Sequence, residues 1–278
     1  MPNELSRVHI LMHLWINFLE VGYVKSQGVL SFDPAVPITD ADIDMGIFAY
    51  VRTLSIAGKS AKAGVLLPYA SVSVNGFVND IFRTRDQVGF ADPAFYFSLN
   101  VKGAPALSLK EFKYCRQDMI IGFTVRLTAP LGAYESEKLM DIGTNSWSFE
   151  PELGISKAIG RWTFEGASAV ALYTDNDEFD INKSREQDPL YSGQLHASYT
   201  FANNVWASAG ATYYTGGSTT IDGAENKDLQ ENWRVGFILA LPVDRRNSIK
   251  LFAQNGVSTG TDYDSLGIIW QYRWGGGI

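Results

Sequence analysis

The sequence predicts an all-β fold, namely a transmembrane antiparallel β-barrel of about twelve strands. Three observations predict this fold. Apolar and polar residues alternate along segments of ten or more residues, short connections take turns with long ones, and charged residues recur within strands on the polar face. A dry core cannot hold so many strand charges, whereas a wet lumen can. We therefore expect residues 1–278 to form a single barrel domain.

The strands are predicted from a period of two residues. From Trp147 onward, Trp147, Phe149 and Leu153 share one face of the chain, and Glu150 and Glu152 share the other. This period is typical of a β-strand, whose successive side chains point to opposite sides. The same pattern gives twelve predicted segments, over residues 8–24, 42–57, 60–75, 92–102, 116–129, 146–158, 161–174, 190–202, 205–215, 231–243, 247–258 and 263–274.

The connections between these segments alternate in length, as they do in outer-membrane barrels. The short connections are predicted to be periplasmic turns, at 58–59, 159–160, 202–204 and 243–246, with one longer exception at 103–113. The longer polar connections are predicted to be extracellular loops, at 25–41, 76–91, 130–145, 175–189 and 216–230. An even number of strands returns the chain to its starting side, so both termini are expected in the periplasm.

Composition excludes several classes of protein. With 46% hydrophobic and 13% aromatic residues, a disordered chain is excluded, because these side chains would remain in water. The longest clean apolar run covers residues 237–243, far short of the roughly 18 residues that a spanning helix needs. A net charge of −7 argues against a nucleic-acid partner. One cysteine and three histidines leave no disulfide framework and little material for a metal centre, so no cofactor is expected.

Polar residues within the predicted strands are candidates for the lining of a lumen. A lysine or arginine that faces lipid at the bilayer midplane costs about 2–4 kcal/mol, so such residues are expected to point inward. The lumen candidates are Arg52, Asn100, Arg126, Glu150, Glu152, Glu165, Gln194, His196, Arg234, Lys250, Gln271 and Arg273. The five basic members of this set are expected to meet the three glutamates across neighbouring strands.

Three groups of residues also allow a chemical interpretation. Glu150 and Glu152 share a face and would suit a glycosidase, but a lumen-facing ladder with arginines on neighbouring strands, which Glu165 across the short turn also fits, is the favoured explanation. His196 and Ser198 also share a face, as a base and a nucleophile would, yet they are expected to point to the lumen rather than to lipid. The acidic segment 175–180 would suit Ca²⁺, but it lacks the glycine and distal glutamate of an EF-hand loop. No catalytic, cofactor or metal residue is assigned, and the protein is not expected to be an enzyme.

Ordered blocks along nearly the whole chain carry a family resemblance. They are NFLEVGY (17–23), FDPAVP (32–37), GKSAKAGVLLPY (58–69), GFADP (89–93), GAPAL (103–107), IGTNSWSFEPELGISK (142–157), DPL (188–190), QLHASY (194–199), YYTGG (213–217) and WQYRW (270–274). With these blocks the chain resembles the outer-membrane family named for the meta-pathway of phenol degradation, whose members are often labelled transporters. The resemblance implies a porin-like β-barrel in the outer membrane of a Gram-negative bacterium. It further implies passive passage of small hydrophobic or aromatic solutes, with outer-membrane lipid and lipopolysaccharide as surroundings.

The first twenty residues do not read as a secretory signal. Glu4 lies early, His9 and His13 interrupt the apolar run, and no Ala-x-Ala site follows. We expect this segment to begin the first strand, and a signal peptide to be absent from this chain. Two other classes of protein remain open. One is an outer-membrane hydrolase of the phospholipase-barrel type, and the other is a soluble β-sandwich binding protein, which would show the same alternation.

Overall fold

The computed structural model describes residues 15–29, 38–78, 81–107, 111, 115, 117–137, 141–180, 183–257 and 262–276. Its strands are β1 (Ile16–Val29), β2 (Ile38–Ile56), β3 (Lys59–Val78), β4 (Ile81–Phe90), β5 (Ala94–Lys102), β6 (Met119–Thr128), β7 (Ser148–Ile159), β8 (Trp162–Tyr173), β9 (Asn176–Phe179), β10 (Lys183–Gln187), β11 (Leu190–Thr200), β12 (Trp206–Gly216), β13 (Thr219–Ile221), β14 (Ala224–Glu225), β15 (Gln230–Pro242), β16 (Asn247–Val257) and β17 (Asp262–Gly275). Among the described residues, no helix has the length and apolar character needed to cross a membrane.

The long strands close into one antiparallel barrel. Their order is β2-β1-β17-β16-β15-β12-β11-β8-β7-β6-β5-β3, and the pairing of β2 with β3 completes the ring. Strands β4 and β5 act as one barrel strand, because they pair in succession with the same neighbour. Strand β4 pairs with residues 69–78 of β3, and β5 pairs with residues 61–66. The predicted barrel of twelve strands is confirmed. The β-sandwich alternative is wrong, since the sheet forms a closed ring rather than two packed layers.

The prediction of a loop over residues 76–91 is wrong. Strand β3 continues to Val78, and β4 occupies residues 81–90. The sequence of β4 carries Arg85 on one face and Asp86 on the other, so it resembles a polar loop rather than a strand with one apolar face. A membrane strand needs only about 9–11 residues, whereas β2 and β3 have 19 and 20. This side of the barrel therefore extends beyond the bilayer.

Two further predicted loops contain short strands. Strands β9 and β10 lie in the connection between β8 and β11, and β13 and β14 lie between β12 and β15. They form a separate four-stranded sheet in the order β14-β13-β10-β9.

At the N-terminus, the first strand is predicted to begin at residue 8. Residues 8–14 lie outside the described residues, and β1 runs from Ile16 to Val29, five residues beyond the predicted end at 24.

The outer face of the barrel is apolar, with aromatic residues at two levels. At the end with the short turns, the rings of Trp162 and Tyr199 lie 4.9 Å apart. At the other end, Tyr213 lies 4.9 Å from Trp233. Aromatic residues at both interfaces of a membrane are typical of outer-membrane barrels. Leu153, which is 60% exposed, lies between the two levels.

Replacing Leu153 with arginine is expected to destabilise the barrel by about 2–4 kcal/mol, because the new charge would face lipid near the midplane. Leu229 is the matched control. It is exposed to nearly the same extent, 58%, but precedes β15 and lies beyond the outward-facing Glu231. Unfolding in urea from lipid vesicles, followed by tryptophan fluorescence, measures both effects. Equal losses for Leu153→Arg and Leu229→Arg would contradict the assignment of the lipid-facing band.

Candidate functional site: the barrel interior

The strand register decides which side chains share the inner face. Thr124 pairs with Glu152, and Arg126 pairs with Glu150, on the face opposite to the exposed Phe123 and Leu153. Following the register around the ring places eleven of the twelve lumen candidates on this inner face. They are Asn100, Arg126, Glu150, Glu152, Glu165, Gln194, His196, Arg234, Lys250, Gln271 and Arg273.

Arg52 lies on the opposite face, and its predicted inward position is wrong. It shares the outer face of β2 with Phe48 and is exposed. Its guanidinium lies 5.6 Å from the centroid of the Trp15 ring. The position is four residues from the end of β2 at Ile56, where a long basic side chain can reach the interface and avoid the cost of lipid exposure.

The inner charges pair only partly as predicted. Arg126 meets Glu150 across β6 and β7, with 3.8 Å between Nη1 and Oε1. Lys250 instead has an ion pair with Glu20 on β1, at 2.8 Å. Both side chains of this pair are about nine-tenths buried. Glu20 also accepts a hydrogen bond of 2.5 Å from Gln271.

The other two predicted cations have contacts of different kinds. The guanidinium of Arg234 lies 3.5 Å from the centroid of the Tyr263 ring. Arg273 donates from Nε to the carbonyl oxygen of Arg245, 2.7 Å away, at a short turn. These contacts, rather than the predicted glutamates, are the ones that position the two side chains.

Glu20 and Lys62 are inner residues that sequence reasoning missed. Lys62 is only 6% exposed, and the charges that act on it are those of Glu165, Glu20, Lys250 and Glu152. We call Glu20, Lys62, Glu152, Glu165 and Lys250 the central charge cluster. Its members come from five strands around the ring, so charges of both signs face each other across the lumen. Lys62 lies between two alanines shortly after a turn, where a lysine looks like a surface residue.

One patch of the interior is apolar, which the sequence did not predict, and it lies on strands that also carry Glu20, Arg234 and Lys250. Its buried members come from β1, β2, β15, β16 and β17. They are Val24, Ile47, Ile238, Phe252 and Ile269, and Met45, Leu66 and Trp206 pack against them. We call this set the apolar wall. It was missed because a lumen was expected to be polar, and because these residues alternate with equally apolar outward ones.

The opposite side of the interior carries hydrogen-bonding groups. The Ser98 and Thr124 hydroxyls lie 2.7 Å apart, and Gln194 donates from Nε2 to Glu152 at 2.9 Å. A solute in the lumen would therefore meet an apolar surface on one side and hydrogen-bonding groups on the other. Such a combination suits molecules with an apolar body and few polar groups.

Two inner rings lie against glycines of neighbouring strands. A Cβ atom at Gly267 would lie 2.3 Å from the Phe252 ring, and one at Gly210 would lie 2.1 Å from Nδ1 of His196. Only glycine permits such close approach. Because the rings lie along the wall, they occupy less of the lumen than rings that project across it.

The connection between β6 and β7 is bound to the inner side of the extended hairpin β3–β4. Asp92 accepts hydrogen bonds from the backbone of Gly132 and from Thr144, each at about 2.8 Å. The Asp141 carboxylate, whose side chain is 2% exposed, lies 3.0 Å from Arg85 and accepts a bond from Gln87. Burial raises the pKa of the Asp141 carboxyl, although the bond from Gln87 and the charge of Arg85 act in the opposite direction. These contacts fix the loop, which we call the mouth loop, against the hairpin at this end of the barrel.

Among the described residues, the structure shows no arrangement that supports a Ser–His hydrolase or a Ca²⁺ site. The Ser198 hydroxyl donates to Ser208 at 3.0 Å, and His196 lies 3.4 Å from Gln194, so no Ser–His dyad is formed. The acidic segment contains β9, whose Asn176 is buried and bonded to Asn145. Within the part of the chain that the structure describes, no group of three His, Cys, Asp or Glu side chains could hold a metal ion.

The sequence matches the family model described as "Putative MetA-pathway of phenol degradation" over residues 31–272. The chain belongs to this family. The resemblance seen in the sequence blocks is therefore confirmed. No curated protein matches the sequence closely enough to count as a relative.

Solved structures show the same fold as this family member. The outer-membrane channel from Pseudomonas putida F1 has a TM-score of 0.81 at 20% identity, with 99% of each chain covered. The β domain of the Bordetella autotransporter BrkA has a TM-score of 0.56 at 11% identity, covering 94% of this chain and 100% of that one. The transport unit of AIDA-I from Escherichia coli has a TM-score of 0.55 at 7% identity, covering 98% and 92%. The fold is that of an outer-membrane barrel, which agrees with the predicted location.

Replacing Glu20 with glutamine is expected to destabilise the barrel by about 3–5 kcal/mol, because it removes the carboxylate of the buried ion pair with Lys250. The matched control is Asp118→Asn. Asp118 pairs with Lys157, but these side chains are 79% and 46% exposed, so the expected loss is at most about 1 kcal/mol. Urea unfolding in vesicles measures both variants. Similar losses would show that the central charge cluster is solvated like the surface.

The mouth loop is expected to become more protected as the solution is acidified. The pKa of Asp141 is raised in the folded protein, so the folded state holds the proton more tightly than the unfolded chain does. This group therefore adds stability as pH falls from 7 toward the ordinary value of about 4. Hydrogen exchange at the amides of Ile142 and Gly143, corrected for intrinsic rates, measures the effect. Asp141→Asn should remove the pH dependence, and a wild-type loop that loses protection in acid would contradict it.

Proposed function

We propose that the protein is an outer-membrane channel for the passive passage of small hydrophobic or aromatic compounds. The observation that carries this proposal is the two-sided interior, in which the apolar wall faces hydrogen-bonding side chains. A porin for sugars or ions needs a polar lining on all sides, whereas an apolar surface inside a barrel favours solutes that can pack against it. Membership of the phenol-degradation family supports the same class of solute.

The size of the barrel supports selective passage. Twelve strands give a lumen between the filled eight-stranded barrels and the open sixteen-stranded porins. The central charge cluster narrows this lumen further, because Lys62, Glu152 and Lys250 are each less than one-tenth exposed. A solute is selected by this width and by its contacts with both walls. No energy source is needed, since movement follows the concentration gradient.

The proposal includes an orientation in the membrane. Strands β1 and β17 pair from Ile16 with Gly275, so the chain enters and leaves the barrel at the end with the short turns. The opposite end carries the extended hairpin, the mouth loop and the four-stranded loop sheet. Short turns are typical of the periplasmic side, so the termini lie there. The folded loops then face the medium. The aromatic level at the end with the short turns lies in phospholipid, and the level at the other end lies near lipopolysaccharide.

Single-channel recording in planar bilayers tests the proposal. The barrel should conduct ions, and benzyl alcohol should reduce the current by binding to the apolar wall, whereas glycerol should not. Arg126→Ala should raise the conductance, because it removes an inner side chain and its pairing with Glu150. Arg52→Ala is the matched control and should leave the conductance unchanged, since Arg52 lies on the outer face.

Two results would overturn the proposal. One is a correctly folded barrel, judged by its migration on a gel before and after heating, that passes no ions and is insensitive to benzyl alcohol. The other is equal inhibition by glycerol and benzyl alcohol, which would indicate an unselective water-filled pore.

A further inference from the structure

A buried hydroxyl without a partner lies on the inner face of β12. Thr212 is 3% exposed, and its Oγ1 has no hydrogen-bond partner among the described residues. A buried hydroxyl left in this state costs free energy, and such groups in folded proteins call for an explanation. In the register, Thr212 pairs with Gln194 on one side and with Arg234 on the other.

Arg234 lies beside this hydroxyl and is itself held in place. It is 7% exposed, and its guanidinium lies 3.5 Å from the Tyr263 ring. Tyr263 in turn packs against the buried pair Ala41 and Val74. The ion pairs within the described residues do not include Arg234. Stacking on a ring uses one face of the guanidinium and leaves the N–H groups at its edge able to donate.

The inner face of β15 below Arg234 lacks a side chain at one position, and the His196 ring over Gly210 borders this position on the β12 side. On the inner face of β15, Gly236 separates Arg234 from Ile238, and Gly236 pairs with Gly210 on β12. At about 3.3 Å per residue, Arg234 and Ile238 lie about 13 Å apart along the strand, with no side chain from β15 between them. Ile238 and Phe252 then begin the apolar wall. A six-membered ring with one carboxylate fits this separation.

We propose that Arg234 and Thr212 form a binding subsite for the carboxylate of a small aromatic acid, whose ring lies over Gly236 against Ile238. The guanidinium edge and the hydroxyl donate to the carboxylate oxygens, which is the strong, charge-assisted type of hydrogen bond. Glu165 is the inner-face acid nearest to Thr212 in the register, two strands away, and Glu152 lies one strand further. Gln194, which pairs with Thr212, donates to Glu152 at 2.9 Å. The inference rests on the proposed channel function and specifies the solute class.

The test compares benzoate with benzamide, its neutral isostere, as blockers of the single-channel current. The wild-type barrel should be blocked by benzoate at about tenfold lower concentration than by benzamide, the ratio that one charge-assisted contact supplies. Arg234→Met should abolish this preference and leave the block by benzamide unchanged.

Thr212→Val separates a binding role from a structural one. If the hydroxyl serves a ligand, the variant should weaken the benzoate block several-fold while its melting temperature stays the same or rises. Thr53→Val is the matched control. Thr53 is also buried, at 1% exposure, but its hydroxyl is bonded to the backbone of Ile16. This control should lower the melting temperature and leave the benzoate preference intact.

The outcomes distinguish the two proposals. A correctly folded barrel that carries no current and is insensitive to benzyl alcohol would remove the channel function itself. A current that benzyl alcohol reduces but that neither benzoate nor benzamide affects would leave the channel in place and overturn the subsite. Equal block by benzoate and benzamide in the wild type would leave the channel in place and overturn the carboxylate subsite. A Thr212→Val variant that loses stability as Thr53→Val does, with the benzoate preference unchanged, would assign the hydroxyl a structural role and also overturn the subsite.

Discussion

The backbone of a strand inside a bilayer has no water to bind, so each N–H and C=O group must find a partner in the protein. This requirement explains the closed ring, in which the first and last strands pair along their whole length, from Ile16 with Gly275 to Val29 with Asp262. It also explains how the chain tolerates the break at residues 91–93. There Ala91 donates to Pro68, and Pro93 accepts from Ala129, so the interrupted strand remains bonded on both sides.

Once the ring is closed, the alternation of side chains leaves every strand with one face for lipid and one for the interior. The outer face has to be uniformly apolar, but the inner face is free to differ from strand to strand. Here that freedom produces an apolar wall on β15–β17, β1 and β2, and a polar side centred on β6–β12. The rings of Phe252 and His196 lie against glycines, so the interior carries aromatic surface without being filled by it.

The period of two residues was sufficient to predict the strands, since it reports burial strand by strand. The choice of a barrel over a β-sandwich also needed the alternating lengths of the connections and the charges within strands. The alternation was less informative where a strand lies outside the hydrocarbon region, because there a polar residue can lie on either face. Arg52 lies at an interface, where a charge on the outer face is tolerated, and β4 lies above the bilayer, where neither face has to be apolar. The pairing of Lys250 with Glu20 joins strands separated by β17. Such contacts depend on the curvature of the ring, which no local pattern contains.

The continuous register restricts how this chain can change over time. Register shifts between barrel strands occur at Asn100–Lys102 and Ile38–Asp40, near strand ends, among the described pairings. One residue inserted in the middle of β7 would turn Glu150 or Glu152 toward lipid and Leu153 toward the lumen, depending on its position. Strands can therefore vary by substitution or by paired insertions, whereas single insertions and deletions are confined to the loops. Variation in length is thus directed to the connections between strands, above all to the long ones at the end of the barrel opposite the short turns.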